Sequence, residues 1–160
     1  MIREMTNEDW KVVSVIYKQG IDNGTATFET TLPSFEKWDT SHLKECRYVF
    51  EKEGEVVGYS VLSPVSSRYA YRGVAELSIY VKEGYKGIGI GTELMKNAII
   101  SAEKHGFWTI YSVAFSCNVA SINMHKKCGF RMVGYREKIA KNKFGNWQDT
   151  TIFEYRNSIK

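Results

Sequence analysis

The chain has 160 residues, 43% of them apolar and 25% charged, a balance that fits one globular domain with a single well-filled core. Its net charge of +4 comes from Lys and Arg that are scattered and not striped, which excludes a nucleic-acid-binding reading and leaves mild attraction for an anionic cofactor. No apolar run is long enough to cross a membrane, Ile2 to Trp10 already holds four charges and does not read as a signal peptide, and Cys46, Cys117 and Cys128 form an odd set without metal-like pairing, so free thiols in a reducing cytoplasm and no bound metal are expected.

Met1 to Met5 reads as a short strand. Thr6-Asn7-Glu8-Asp9 is a helix-start signal, with Thr6 as the cap and Asp9 reaching back to it. Val12, Val13, Ile16 and Tyr17 then recur at helical spacing up to Gly20. Gly24 to Thr30 is too rich in Thr and Gly for a helix and reads as a loop. Pro33, Phe35, Trp38 and Leu43 suggest a second short helix. Tyr48 to Lys52 and Val56 to Val65 are strands around the turn Lys52-Glu53-Gly54-Glu55, and Val74 to Val81 is the next strand. Thr92 to His105 is the strongest helix, with Leu94, Met95, Ala98, Ile99 and Ala102 on one face and His105-Gly106 as its stop. Trp108 to Phe115 is a strand, Asn118 caps a helix running to about Cys128, and Met132 to Ala140 and Asp149 to Tyr155 form a final antiparallel pair. The order β-α-α-β-β-β-α-β-α-β-β predicts one α/β (α+β) domain over residues 1–160. Its sheet should be mixed, mostly antiparallel and of about seven strands, with helices on both faces.

The segment Lys86-Gly87-Ile88-Gly89-Ile90-Gly91-Thr92 lies between the Val74 to Val81 strand and the strongest helix. Glycines alternating with isoleucines leave backbone N–H groups unshielded, and a helix N-terminus adds its positive dipole end, so this is an anion site for a phosphate-bearing cofactor. Gly84 and Gly89 have P-loop separation, but Ile90-Gly91 stand where Lys and Ser/Thr are needed. A dinucleotide fingerprint needs a third glycine where Thr92 sits, and it opens a domain, whereas this loop follows several strands.

Three features in register resemble the GNAT superfamily of N-acetyltransferases. Lys86-Gly87-Ile88-Gly89-Ile90-Gly91 matches the family's pyrophosphate loop, with Lys for the usual Arg or Gln. Glu76-Leu77-Ser78-Ile79-Tyr80-Val81 matches the strand before it. Asn118-Val119-Ala120-Ser121 with Cys128-Gly129-Phe130 matches the Asn-x-x-Ser helix and its closing Gly-Phe. Ile16-Tyr17, Ala26 to Thr30, Tyr71 to Val81 and Lys143 to Asp149 resemble the phosphinothricin and methionine-sulfoximine acetyltransferase-like branch.

The resemblance implies acetyl-CoA as co-substrate and no metal. It implies that the backbone of Ile79, Tyr80 and Val81 holds the pantetheine arm, that Lys86 to Thr92 cradle the pyrophosphate, and that Asn118 contacts the arm while capping its helix. It implies a cytoplasmic homodimer. His125 stands where many relatives carry a tyrosine that protonates the departing thiolate. An imidazolium would serve there near neutral pH, and the alternative is a helix histidine without a chemical role.

Strand alternation puts Glu76, Ser78 and Tyr80 on one face and Ala75, Leu77, Ile79 and Val81 on the other. A carboxylate in a largely apolar strand is costly to bury unless used or paired. Glu76 is therefore the expected general base, directly or through water, with its pKa raised toward working pH; the competing reading is a sheet-surface Glu paired with Lys or Arg. His42 and His105 read as surface and capping residues. Neither Cys117 nor Cys128 has a neighbouring His and acid, so direct transfer is expected over an acyl-enzyme. Arg72 precedes the catalytic strand and suits a substrate carboxylate, with Tyr69, Tyr71, Phe28 and Glu29 as pocket walls and Glu29 drawing the ammonium. The bland alternative makes these aromatics packing residues and Arg72 a surface charge. The expected activity is N-acetylation of a small amino-acid-like amine. A peptide or protein acetyltransferase and a non-catalytic acyl-CoA-binding module are the alternatives, and an intact Glu76 argues against the module.

Overall fold

The computed structural model describes residues 1–158. Seven strands, β1 (Ile2–Glu4), β2 (Tyr48–Lys52), β3 (Glu55–Pro64), β4 (Val74–Val81), β5 (Thr109–Phe115), β6 (Arg131–Lys141) and β7 (Trp147–Arg156), form one sheet in the order β1-β2-β3-β4-β5-β7-β6. Every pairing is antiparallel except that of β4 with β5. Helices α1 (Trp10–Asn23), α2 (Phe35–Ser41), α3 (Ile90–Lys104) and α4 (Val119–Lys127) complete the expected element order. Single 3-10 turns at Asn7–Asp9 and Tyr69–Tyr71 are additions to it.

Boundaries moved where local chemistry decided them. α3 begins at Ile90, two residues before the expected Thr92, because Gly89 takes φ 93° and supplies the N-cap. α2 stops at Ser41 because His42 is extended, at φ −118° and ψ 149°. At the first helix start the Asp9 carboxylate accepts the Thr6 N–H at 2.8 Å, as expected, but the first turn is 3-10.

The helices lie on both faces. Val13 and Ile16 of α1 and Trp38 of α2 bury against Val49, Tyr59 and Val61 on one face. Met95, Ala98 and Ala102 of α3 bury against Leu62, Leu77, Ile110 and Phe153 on the other. The alternation of β4 is the reason both cores reach the same strand. Ala75 and Leu77 enter the α3 core, while Tyr80 stacks on Tyr59 at 5.5 Å and meets Tyr17 of α1 at 5.1 Å.

The feature that positions the site is the parallel seam. β4 and β5 pair through Val74–Thr109, Ala75–Ile110 and Glu76–Tyr111, and pairing then stops. β4 nevertheless continues to Val81, and β5 continues to Phe115 with its other edge held by β7. The two strands therefore part immediately after Glu76, leaving one edge of each strand open.

Candidate active site

A cleft of about 1020 Å³ fills this parting. Its walls are β4 from Glu76 to Val81, β5 from Ser112 to Phe115, the glycine loop, the start of α4, and part of the α1–α2 loop.

Glu76 is the last paired residue of β4 at the seam and faces the cleft. It has no hydrogen-bond or ion-pair partner among the described residues, and burial alone pushes its carboxyl above the ordinary value of 4.5. The competing reading, a surface Glu paired with Lys or Arg, finds no such partner. The neighbouring phenols of Tyr80 and Tyr17 are both raised, chiefly by burial, so they stay protonated.

At the far end of β4, Gly87 and Gly89 take φ 78° and 93°, and a Cβ at either would meet nothing within 4 Å. Glycine is required there by backbone conformation and not by crowding. The first intrahelical bond runs from the Glu93 N–H to the Gly89 carbonyl at 3.0 Å, so the amides of Ile90, Gly91 and Thr92 have no acceptor within the helix. With the dipole of a 15-residue helix behind them, they form an anion site open to the cleft. Lys86 lines it while pairing with Glu83 at 2.7 Å. Ile88, 57% exposed, and Ile90, buried beside Leu94, were expected with the rest of the loop but do not line the cleft.

Asn118 caps α4, its side-chain oxygen accepting the Ser121 N–H at 3.2 Å. His125, about two turns along α4, is buried, stacked on Phe153 at 4.5 Å and edge-on to Phe130. Its Nδ1 lies 2.6 Å from the Ser121 carbonyl oxygen and so carries the proton, leaving Nε2 to accept from the Ser112 hydroxyl at 2.7 Å. Burial lowers its pKa, so the ring is neutral near pH 7 and the imidazolium expected from the sequence is disfavoured.

Phe28 and Glu29 line the cleft as expected. Phe28 packs on Phe115 of β5 at 4.6 Å, and the Glu29 N–H donates to Thr27 Oγ1 at 3.1 Å. Tyr69, Tyr71 and Arg72 do not form part of its wall. Arg72 is instead held over the Tyr69 ring at 4.1 Å and the Trp108 ring at 5.3 Å, with Nη1 donating to the Tyr69 carbonyl at 3.2 Å. The 3-10 turn at Tyr69–Tyr71 brings this about, and composition gave no sign of that turn. His42, expected on the surface, lines the cleft: it packs on Trp38 at 4.6 Å with Nδ1 2.6 Å from the Trp38 carbonyl. Burial lowers its pKa. Thr27, Lys37 and Ser41 also line the cleft and were not singled out. The apolar spacing that predicted α2 gave the helix but not the packing that turns His42, just past its end, toward the cleft. Among the described residues no group of His, Cys, Asp and Glu is arranged to hold a metal ion, and the three cysteines are free thiols.

A partly buried, unpaired carboxylate therefore stands at the head of the open strand seam, and a glycine loop with unbonded helix-N-terminal amides stands at its other end. Residues 5–130 match the family model described as the Acetyltransferase (GNAT) family. The chain belongs to that family. Among relatives of this GNAT member, the phosphinothricin N-acetyltransferase of Alcaligenes faecalis is 30% identical, over 96% of this chain and 80% of that protein. The L-methionine sulfoximine/L-methionine sulfone acetyltransferase of Pseudomonas paraeruginosa is 28% identical, over 96% of this chain and 92% of that one. The GNAT phosphinothricin acetyltransferase of Sinorhizobium meliloti, solved with AcCoA, superposes with a TM-score of 0.88 at 28% identity, covering 98% of this chain and 87% of that one.

Proposed function

We propose that this GNAT enzyme uses acetyl-CoA to acetylate the primary amine of a small amino-acid-like substrate of the phosphinothricin or methionine sulfoximine type, with Glu76 as general base. The observation that carries this reading is Glu76 itself: unpaired, partly buried, and placed where β4 and β5 part. The relatives' names support the substrate class.

The glycine loop and the α3 N-terminus take the pyrophosphate, and the open edge of β4 at Ile79 to Val81 pairs with the pantetheine arm. That places the thioester near Glu76. Glu76 takes a proton from the substrate ammonium, directly or through a water. The amine lone pair attacks the carbonyl carbon to give a tetrahedral oxyanion; as that collapses the C–S bond breaks, the nitrogen sheds its second proton, and the departing thiolate takes up that proton, directly or through water. Direct transfer fits the surroundings of the thiols: Cys46 and Cys128 are pushed above the ordinary thiol range by burial, and Cys117 has no His–acid pair beside it. His125, a neutral ring held at both nitrogens, fixes α4 against β5 through Ser112 and acts as a positioning residue. Phe28 and Glu29 wall the amine end, where the Glu29 carboxylate attracts an ammonium.

The test is CoA release from acetyl-CoA with a panel of amines: phosphinothricin, methionine sulfoximine, methionine sulfone, the common amino acids, an aminoglycoside and a lysine-containing peptide. Turnover confined to the amino-acid analogues is expected. Turnover on the peptide alone would make this a protein acetyltransferase, and tight CoA binding with no turnover on any amine would favour a binding module.

The same reading includes a cytoplasmic homodimer. The free thiols fit a reducing compartment, and no helix among the described residues is long and apolar enough to cross a membrane. β6 is an edge strand whose Met132, Tyr135 and Ile139 are about half exposed, alongside Phe144 and Trp147. These exposed apolar side chains, interspersed with the charges of Arg131, Arg136, Glu137, Lys138 and Lys141, are the surface that the dimer reading would cover. Sedimentation at micromolar concentration should return twice the chain mass of 18.4 kDa, and a monomer mass would remove this part of the reading.

A further inference from the structure

The turn between β6 and β7 makes a contact that the sheet order leaves unexplained. β6 and β7 lie beyond β5, on the far side of the cleft from α1. Their turn nonetheless reaches the C-terminal end of α1. The Phe144 ring covers Gly24 so closely that a Cβ there would meet Cε2 at 2.8 Å and Cδ2 at 3.2 Å. Lys143 Nζ reaches Asp22 Oδ1 at 3.4 Å. Gly24 is doubly constrained, since it also closes α1 in the left-handed region at φ 66°.

The turn is stiff enough to act as a fixed point. The Asn142 N–H donates to the Asn146 carbonyl at 2.9 Å, and the Gly145 N–H to the Asn142 carbonyl at 2.9 Å. The Asn142 side-chain oxygen accepts from the Phe144 and Asn146 amides at 3.0 and 3.1 Å. Phe144 is 61% exposed, so its ring is not a core residue, and its contact with Gly24 is local.

The segment that starts at Gly24 carries Phe28 and Glu29 over the parting of β4 and β5. It is fastened at two points to the β5–β7–β6 side, by Phe144 on Gly24 and by Phe28 on Phe115. Between them Thr27 faces the hydroxyls of Tyr17 and Tyr80. Residues 24–29 are thus a strap tied across the cleft.

We propose that Phe144 and Lys143 are positioning residues for the amine substrate: the β6–β7 turn fixes the strap, and the strap fixes Phe28 and Glu29 against the amine. The inference rests on the amine-acetyltransferase reading above. It predicts a split between the two substrates, because the strap walls the amine end while the glycine loop and β4 hold CoA.

Phe144→Ala should raise the KM of the amine that the panel identifies by about tenfold, with acetyl-CoA KM within about twofold of wild type. Phe144→Tyr should restore the amine KM, because the ring over Gly24 is restored. In a double-mutant cycle Phe144→Ala and Phe28→Ala should be non-additive, since both loosen one strap. An unchanged amine KM, or equal rises in both KM values, would overturn the proposal. Hydrogen exchange decides it independently of turnover. Faster exchange at residues 25–29 in Phe144→Ala supports the strap, and unchanged exchange there overturns it. Absence of turnover in the wild type would instead count against the amine reading, with the exchange result still deciding the strap.

Discussion

Glu76→Gln should bind acetyl-CoA like the wild type and lose about 10²- to 10⁴-fold in turnover, the range that a positioned general base contributes. The carboxamide keeps the shape of the side chain and cannot take a proton. CoA recognition is assigned to the glycine loop and the β4 backbone, neither of which the substitution touches. The pH dependence follows from the raised pKa. The wild-type rate rises as pH increases through the Glu76 value, which burial holds above the ordinary 4.5, and the variant should lack that limb. Full rate in the variant from about pH 6 to about pH 9 would remove Glu76 from the base role.

The same residue carries a stability signature of opposite sense. A carboxyl whose folded pKa is raised contributes stability that is fully present below its unfolded value of 4.5 and is lost as pH rises through the folded value. Wild type should therefore be less stable than Glu76→Gln in alkaline solution, and the gap should close on acidification toward pH 4.5. Melting curves at several pH values measure this. A folded Glu76→Gln variant that is no more stable than wild type at high pH would mean that Glu76 is paired or solvated in solution. Keeping an unpaired carboxylate in a desolvated seam is a local cost of the kind that functional sites carry.

Gly73→Ala should be the most damaging small substitution, costing about 1–3 kcal/mol, or up to about a hundredfold in the folding equilibrium. The reason is crowding and not backbone conformation. A Cβ at Gly73 would lie 2.1 Å from Cε3 of Trp108 and 2.3 Å from its Cδ2 and Cζ3. The Trp108 main chain is fixed beside Gly73, because the Trp108 and Thr109 amides both donate to the Gly73 carbonyl at 2.8 and 3.2 Å, so relief must come from the ring, which also packs under Arg72. Gly73 and Trp108 therefore set the start of the parallel seam whose last rung is Glu76–Tyr111. Displacement at Gly73 should reach Glu76, so turnover should fall together with stability. Chemical denaturation of the variant beside wild type decides the matter; an unchanged midpoint would mean that Trp108 can swing aside.

Much of this site was legible because its parts are local. The glycine loop declares itself by spacing, and its excluded alternatives fail on single residues, Ile90-Gly91 and Thr92. Asn118 reads as a cap from its place before a helix, and the cap is there. Alternation along Val74 to Val81 assigned the two faces of β4, and the two cores confirm the assignment. The element order fixed the class of fold.

What the sequence did not disclose depends on contacts between distant segments. Arg72 is only four residues from Glu76 in sequence, yet a 3-10 turn and the Trp108 ring hold it away from the cleft wall. His42 looked like a surface residue because nothing local shows that α2 packs over the cleft. The burial that keeps His125 neutral comes in part from Phe153, a residue of a distant strand. The sequence by itself determined the glycine loop, the alternation of the strand that leads into it, and the family, because backbone conformation and side-chain alternation are properties of consecutive residues. Only the tertiary structure decided which side chains share the cleft. The cleft exists because β4 and β5 part after Glu76 while β7 holds the far edge of β5, and that depends on long-range pairing that no short stretch of sequence encodes.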